Sequence, residues 1–353
     1  MGRLLVRQKL WEPLRRISRR GSMQYEYYYQ QLPVSERRIY RIIYDGVKEF
    51  KDYVEFKNIV DANWVRIFKA VEYDHPEVFY WNGQRVRTKS KGFSKAVKLD
   101  YYWKPEEIKK FVPKIKQGVD SILRKSNGFD STEYERFKSI YDCMVRNISY
   151  DFERVDSKKT EDIAYAHTIL GVFAKQKAVC DGISKAFKYV LERAGVDSIV
   201  VFGKMGLNGE AHAWNIVWID DEPCHVDLTW AVENSNAKRV NHDYVGLTDA
   251  QIKKDHTIDK VLKVPKCDNE ELDFYVRNKC AIKSQEELKQ YLRVHANEKP
   301  FEINVRLDFK CNIDEILKKS SDYIIEHYVA KGQYVIIETQ LRKEQNIMLI
   351  AGK

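Results

Sequence analysis

Residues 198–230 read SIVVFGKMGLNGEAHAWNIVWIDDEPCHVDLTW, and the fold turns on this stretch. SIVVFGKM, HAWNIVWI and CHVDLTW are dense in β-branched and aromatic residues, so each is expected to be a strand. Gly206-Leu207-Asn208-Gly209 and the segment from Asp220 to Pro223 are the expected turns between them. Just upstream the period changes. From Cys180 onward, Ile183, Phe187, Val190, Leu191 and Ala194 recur at helical spacing, and Gly195 is a natural stop. The expectation is a helix opened by a cysteine, followed by an antiparallel meander.

Working outward, residues 160–194 read as helical in two pieces, broken near 175–179. Helices are expected at 105–125 and 131–147, divided by Ser126-Asn127-Gly128. Further upstream, Ile39, Ile42, Ile43 and Val47 mark a helix with Ser35 as its N-cap. A second helix is expected at about 59–71, and a strand pair over 84–103 around Gly92. From about 268 the order is strand LDFYVRN, helix SQEELKQYLRV with Ser284 and Glu287 as a capping box, strand EINVRLDF, helix IDEILKKSSDYIIEHYV, and strands QYVIIETQL and NIMLIAG. The chain is thus expected to be α+β. Its parts are a basic leader 1–22, a helical N-terminal region 23–130, a core 131–255 and a small α+β domain 268–353.

Composition narrows the classes of function. Hydrophobic residues at 44% and charged residues at 32% are ordinary for a globular chain, which excludes long disorder. There is no run of about 18 apolar residues, so no membrane span is expected. Of the net charge of +9, +6 falls within residues 1–20, leaving the body nearly neutral. No specific nucleic-acid binding is therefore expected of it. In the leader, Leu10, Leu14 and Ile17 fall at helical spacing among arginines, interrupted by Pro13. That suits either a membrane-surface or partner contact or a frayed terminus. The leader lacks the apolar stretch of a secretory signal, and a cytoplasmic location is expected. The six cysteines form no CxxC and no zinc spacing with histidine. They are expected to be free thiols, with no metal and no cofactor.

Three residues carry the chemistry. A cysteine opening a helix lies where backbone N–H groups and the helix dipole favour the thiolate, the nucleophilic form. His212 follows the glycine turn, where a strand packed on the Cys180 helix would bring it to the thiol as general base and acid. With the second turn at Asp220 to Pro223, His212 faces about residue 231, and Asp227 stands one or two diagonal positions away on the neighbouring strand. A carboxylate there orients the imidazole. The backbone N–H of Cys180 is the first oxyanion donor, and Gln176 and Tyr150 are both candidates for the second. Trp214, Trp230 and Asp181 are the candidate substrate contacts. His225 and His242 are each open between a catalytic or substrate role and a structural one, and Asn215 is expected to be structural.

AVCDGISKAF (178–187) and HAWNIVWIDDEPCHVDLTW (212–230) together resemble the nucleophile and histidine–aspartate segments of the transglutaminase-like superfamily. The resemblance covers about 140–250. The tyrosine-rich 25–29 and YDHPEVFYW also resemble regions ahead of this domain in bacterial members. The resemblance implies a papain-like core with Cys180 as nucleophile, His212 as base and acid, and Asp227 as orienting carboxylate. It implies acyl transfer through a thioester on a protein or peptide. Hydrolysis by a protease or amidase comes first, calcium-independent transamidation second, and a non-catalytic binding module is the remaining alternative. Asp181 stands where cross-linking members carry tryptophan, and no DxDxDG calcium loop is present.

Overall fold

The computed structural model describes residues 26–57, 62–91, 94–126, 132–206, 208–235, 239–298 and 300–352. The leader 1–22, and the membrane or partner contact expected of it, lie outside the described residues. There are two compact units. One runs to Tyr244 and takes in His256–Cys267; the other comprises Val245–Asp255 and Asp268–Lys353. The N-terminal region and the core as far as Tyr244 therefore share one unit, while residues 245–255, expected to end the core, fall in the other. Among the described residues no helix is long and apolar enough to cross a membrane.

The first unit is built around the Cys180–Arg193 helix, buried along nearly its whole length. Its apolar stripe explains only part of that. Lys185, Lys188, Ser184 and Glu192 are also inside, and each is paired. Lys188 bonds Glu192 one turn on, and Ser184 Oγ donates to the Ala213 carbonyl at 3.0 Å. Asn215 Nδ2 donates to the carbonyls of Ser184 (3.0 Å) and Ile199 (3.2 Å), tying helix to sheet. Asn215 is thus structural.

Within this unit the antiparallel sheet runs His256–Ile258, Ser198–Met205, Glu210–Ile219, Glu222–Val226. The hairpin turn is shorter than the sequence suggests. Asp220 and Asp221 take φ of 52° and 70°, so two residues close it and Ile219 pairs with Glu222. Asn215 then pairs with Val226, where the strand ends. The expected strand CHVDLTW stops there because Asp227 caps a helix, Leu228–Asn234.

The longer helices of this unit, among the described residues, also include Val34–Lys48, Trp64–Asp74, Pro105–Lys125 and Glu133–Asn147. Ser35 is not the N-cap expected, since the first of these starts at Val34, directly after Pro33. The helix expected at about 59–71 starts at Trp64, where Asn63 accepts from Arg66 N at 3.0 Å. The strand pair Arg87–Lys91 and Ser94–Lys98 gains a third member, Tyr53–Lys57. Residues 160–175 break once more than expected. Thr168 Oγ1 accepts from Leu170 N at 3.2 Å and starts a new helix, Ile169–Lys175.

The second unit has a four-stranded sheet in the order Ala281–Ile282, Phe301–Leu307, Ile347–Gly352, Ile337–Arg342, with helices Gln285–His295 and Ile313–Val329. Leu288, Leu292, Ile303, Val305, Ile324 and Ile350 fill its core. LDFYVRN is not a strand. Asp273 Oδ1 accepts from Tyr275 N (2.8 Å) and Val276 N (3.2 Å), and that cap starts a short helix, Phe274–Arg277.

Candidate active site

Cys180 is placed by the chain before it. Lys177–Ala178 pairs in parallel with Ser149–Tyr150, and Val179 N donates to the Ala166 carbonyl at 3.0 Å. Gly182 lets the first helical turn approach Ala166. A Cβ there would lie 2.3 Å from the Ala166 carbonyl oxygen. Cys180 is the first helical residue, half-buried, at the floor of an open cleft of about 810 Å³.

His212 also lines the cleft, on the strand packed against the helix, and is only 7% exposed. Its Nε2 lies 2.8 Å from Asp227 Oδ2. That leaves Nδ1 as the nitrogen for the Cys180 thiol. Burial lowers the imidazole pKa, but the Asp227 carboxylate and then Cys180 outweigh it and bring it up to about 10. Asp227 is fully buried. Burial raises its pKa, yet His212 and then His256 hold it well below the usual carboxylate range.

Asp227 departs from the strand position expected of it. It is the N-cap of the Leu228–Asn234 helix, with Oδ1 accepting from Trp230 N at 3.0 Å and its own N–H donating to the Tyr244 carbonyl at 3.0 Å. One carboxylate oxygen starts the helix and the other faces the histidine. Asp227 follows directly on Val226, the last paired residue of the hairpin, and from there reaches His212.

The two candidates for second oxyanion donor separate. Tyr150 lines the cleft, and the Cys180 thiol, after burial, raises its hydroxyl pKa. Gln176 is exposed at φ 53° as the C-cap of Ile169–Lys175 and does not line the cleft. The expected substrate contacts fare differently again. Asp181 borders the cleft, but both its oxygens are engaged. Oδ1 meets His167 Nδ1 (2.9 Å) and Gly182 N (3.0 Å), and Oδ2 meets Lys185 Nζ (3.3 Å). These bonds anchor the start of the helix. Trp214 is completely buried, stacked 6.1 Å beneath His212, and donates to His225 Nδ1 at 3.0 Å; it offers a substrate no surface. Trp230 packs on Tyr244 at 5.1 Å and does not line the cleft. His225 is buried beneath the site, and His242 Nε2 pairs with Asp142 at 2.7 Å. Neither lines the cleft.

Two features escape the sequence. His256, on the edge strand, places Nε2 3.3 Å from Asp227 Oδ2 and is fully buried on its side chain. A lone histidine in DHTIDK carries no spacing signal. The other feature is the far cleft wall, supplied by Val65, Phe68, Glu72, Tyr73 and Val86 from the N-terminal region. His212, Asp227 and His256 also bring ligand atoms within 4.8 Å of one another. A cation there would compete for the same Nε2 and Oδ2 atoms that now bond each other.

A family model described as transglutaminase-like superfamily matches residues 120–228, which include Cys180, His212 and Asp227. Among solved structures, the chain is 20% identical to a TGase over 53% of each chain, with a TM-score of 0.29. It thus spans about half the length of that protein. It is 11% identical to a protein described as a candidate cysteine protease from Cytophaga hutchinsonii, over 41% of this chain and 61% of that one, with a TM-score of 0.25. No curated protein matches. Residues 120–228 are a transglutaminase-like superfamily domain, and the mixed α+β fold has a transglutaminase-like core.

Proposed function

We propose that the protein is a cysteine-dependent acyl-transfer enzyme that cleaves an amide or peptide bond through a thioester. The observation that carries this reading is His212, held between Asp227 and Cys180 at the floor of an open cleft. His212 takes the thiol proton, and the sulfur attacks the carbonyl carbon. The developing oxyanion is met by the Cys180 backbone N–H at the helix start and by the Tyr150 hydroxyl. As the carbon–nitrogen bond breaks, His212 gives its proton to the leaving amine. Water, deprotonated by the now neutral His212, releases the acid from the thioester. An amine in its place yields transamidation at the same site.

The substrate is a protein or peptide. Val65 (51% exposed), Phe152 (68%) and Val155 (40%) present apolar surface around the cleft, which suits an extended chain with a large apolar side chain. Cys180→Ala should abolish release of amine from peptide and acyl-amide substrates while leaving the circular dichroism spectrum unchanged. Turnover equal to wild type in that variant overturns the reading.

A further inference from the structure

We propose that His256 is a positioning residue, donating from Nε2 to Asp227 Oδ2 and so fixing the carboxylate plane in which that oxygen meets His212. The inference rests on the acyl-transfer reading of the site. A carboxylate oxygen offers two lone pairs, and Oδ2 of Asp227 faces two imidazole nitrogens, His212 at 2.8 Å and His256 at 3.3 Å. Oδ1 is pinned separately by Trp230 N at 3.0 Å. With His256 present, Oδ2 is held from two directions and Oδ1 from a third, and the carboxylate cannot swing Oδ2 away from His212.

The surroundings of His256 are built to keep its ring in that orientation. Trp214 meets it edge-on at 5.0 Å and 68°, Tyr244 packs at 5.4 Å, and the His212 ring lies 5.5 Å away. The strand that carries it, His256–Ile258, pairs with Ser198–Met205, with His256 opposite Met205 and Ile258 opposite Gly203. Gly203 is what lets this strand dock. A Cβ there would lie 2.0 Å from the Thr257 carbonyl oxygen and 2.9 Å from the Trp214 ring. On its other side Gly203 pairs with His212. One glycine therefore sets the spacing between the strand of the catalytic histidine and the strand of its second supporter.

The test compares alkylation of Cys180 by iodoacetamide at pH 6, read by peptide mass spectrometry, in the full-length wild type, His256→Phe and His256→Gln. Phenylalanine keeps the packing and removes the donor; the glutamine amide restores an N–H near Nε2. The expected result is a loss of about tenfold or more in the phenylalanine variant, as for other residues that orient a catalytic ligand. The glutamine variant should stay within about threefold of wild type. Should phenylalanine unfold the strand, His256→Asn replaces it, because its shorter amide stops short of Asp227 and should show the same loss. A wild-type rate in the donor-less variant overturns the proposal. So does an equal loss in the glutamine variant, since the role is then shape alone. If Cys180 of the wild type reacts no faster than the other cysteines, the acyl-transfer reading fails first and takes this inference with it.

Discussion

His212 sits where burial and charge pull in opposite directions, and charge prevails. Its pKa, brought up to about 10, keeps a proton available to the leaving amine across neutral pH. The alkaline limb of kcat/KM should therefore lie well above the 6.5 of a free imidazole. Asp227→Asn removes the larger of the two charges that raise it, so the limb should move back toward or below 6.5, and kcat should fall by about 10³–10⁴-fold. The same shift enters stability. A folded pKa raised above the unfolded value gives a contribution that is whole below about 6.5 and fades as pH rises toward 10. Asp227 runs the other way, with its contribution present above 3.8 and lost as pH falls. Cys180 and His212 were legible because each sits in a sequence block whose period announces its element, whereas Asp227 was picked out by its place after the hairpin although its block ends in a helix cap and not a strand. His256 was not, because its place depends on a three-residue strand added at a sheet edge, and so short a strand has no pattern of its own.

The turn at Asp220–Asp221 shows how element geometry escapes a local reading. Two non-glycine residues in the left-handed region are uncommon, so a longer turn was the natural expectation, and it displaced the register by two residues. The Cys180–Arg193 helix gives the complementary lesson. Its apolar stripe was plain, but Lys185 inside it looks like a solvated residue until Glu72 comes from 113 positions away at 2.7 Å. Lys185 Nζ also holds Asp181 and the His167 carbonyl, so it joins the Trp64–Asp74 helix to the first turn of the nucleophile helix. Burial lowers its pKa, and Glu72 and Asp181 more than restore it. Lys185→Met leaves Glu72 and Asp181 short of their shared cation. It should cost about 3 kcal/mol at pH 7 in urea unfolding. Unchanged stability contradicts the anchoring role.

Over the whole chain, the matched region 120–228 holds the three central side chains but only part of the cleft. Residues 64–86 close the opposite side, and this was invisible in sequence because their burial depends on partners far along the chain. If that wall and the apolar rim grip the substrate, Val65→Asp should raise KM for peptides carrying a large apolar residue by about tenfold. That corresponds to losing one well-buried apolar contact. Its kcat and its Cys180 alkylation rate should stay near wild type. An unchanged KM removes Val65 from the binding surface.

The most direct test of the central claim is alkylation of all six cysteines as a function of pH, read by peptide mass spectrometry, in wild type and in His212→Ala. The account predicts that at pH 6 Cys180 alone reacts fast, and that it loses this advantage when His212 is gone. If Cys180 reacts no faster than the other five cysteines in either protein, His212 does not activate the thiol, and the acyl-transfer reading is contradicted.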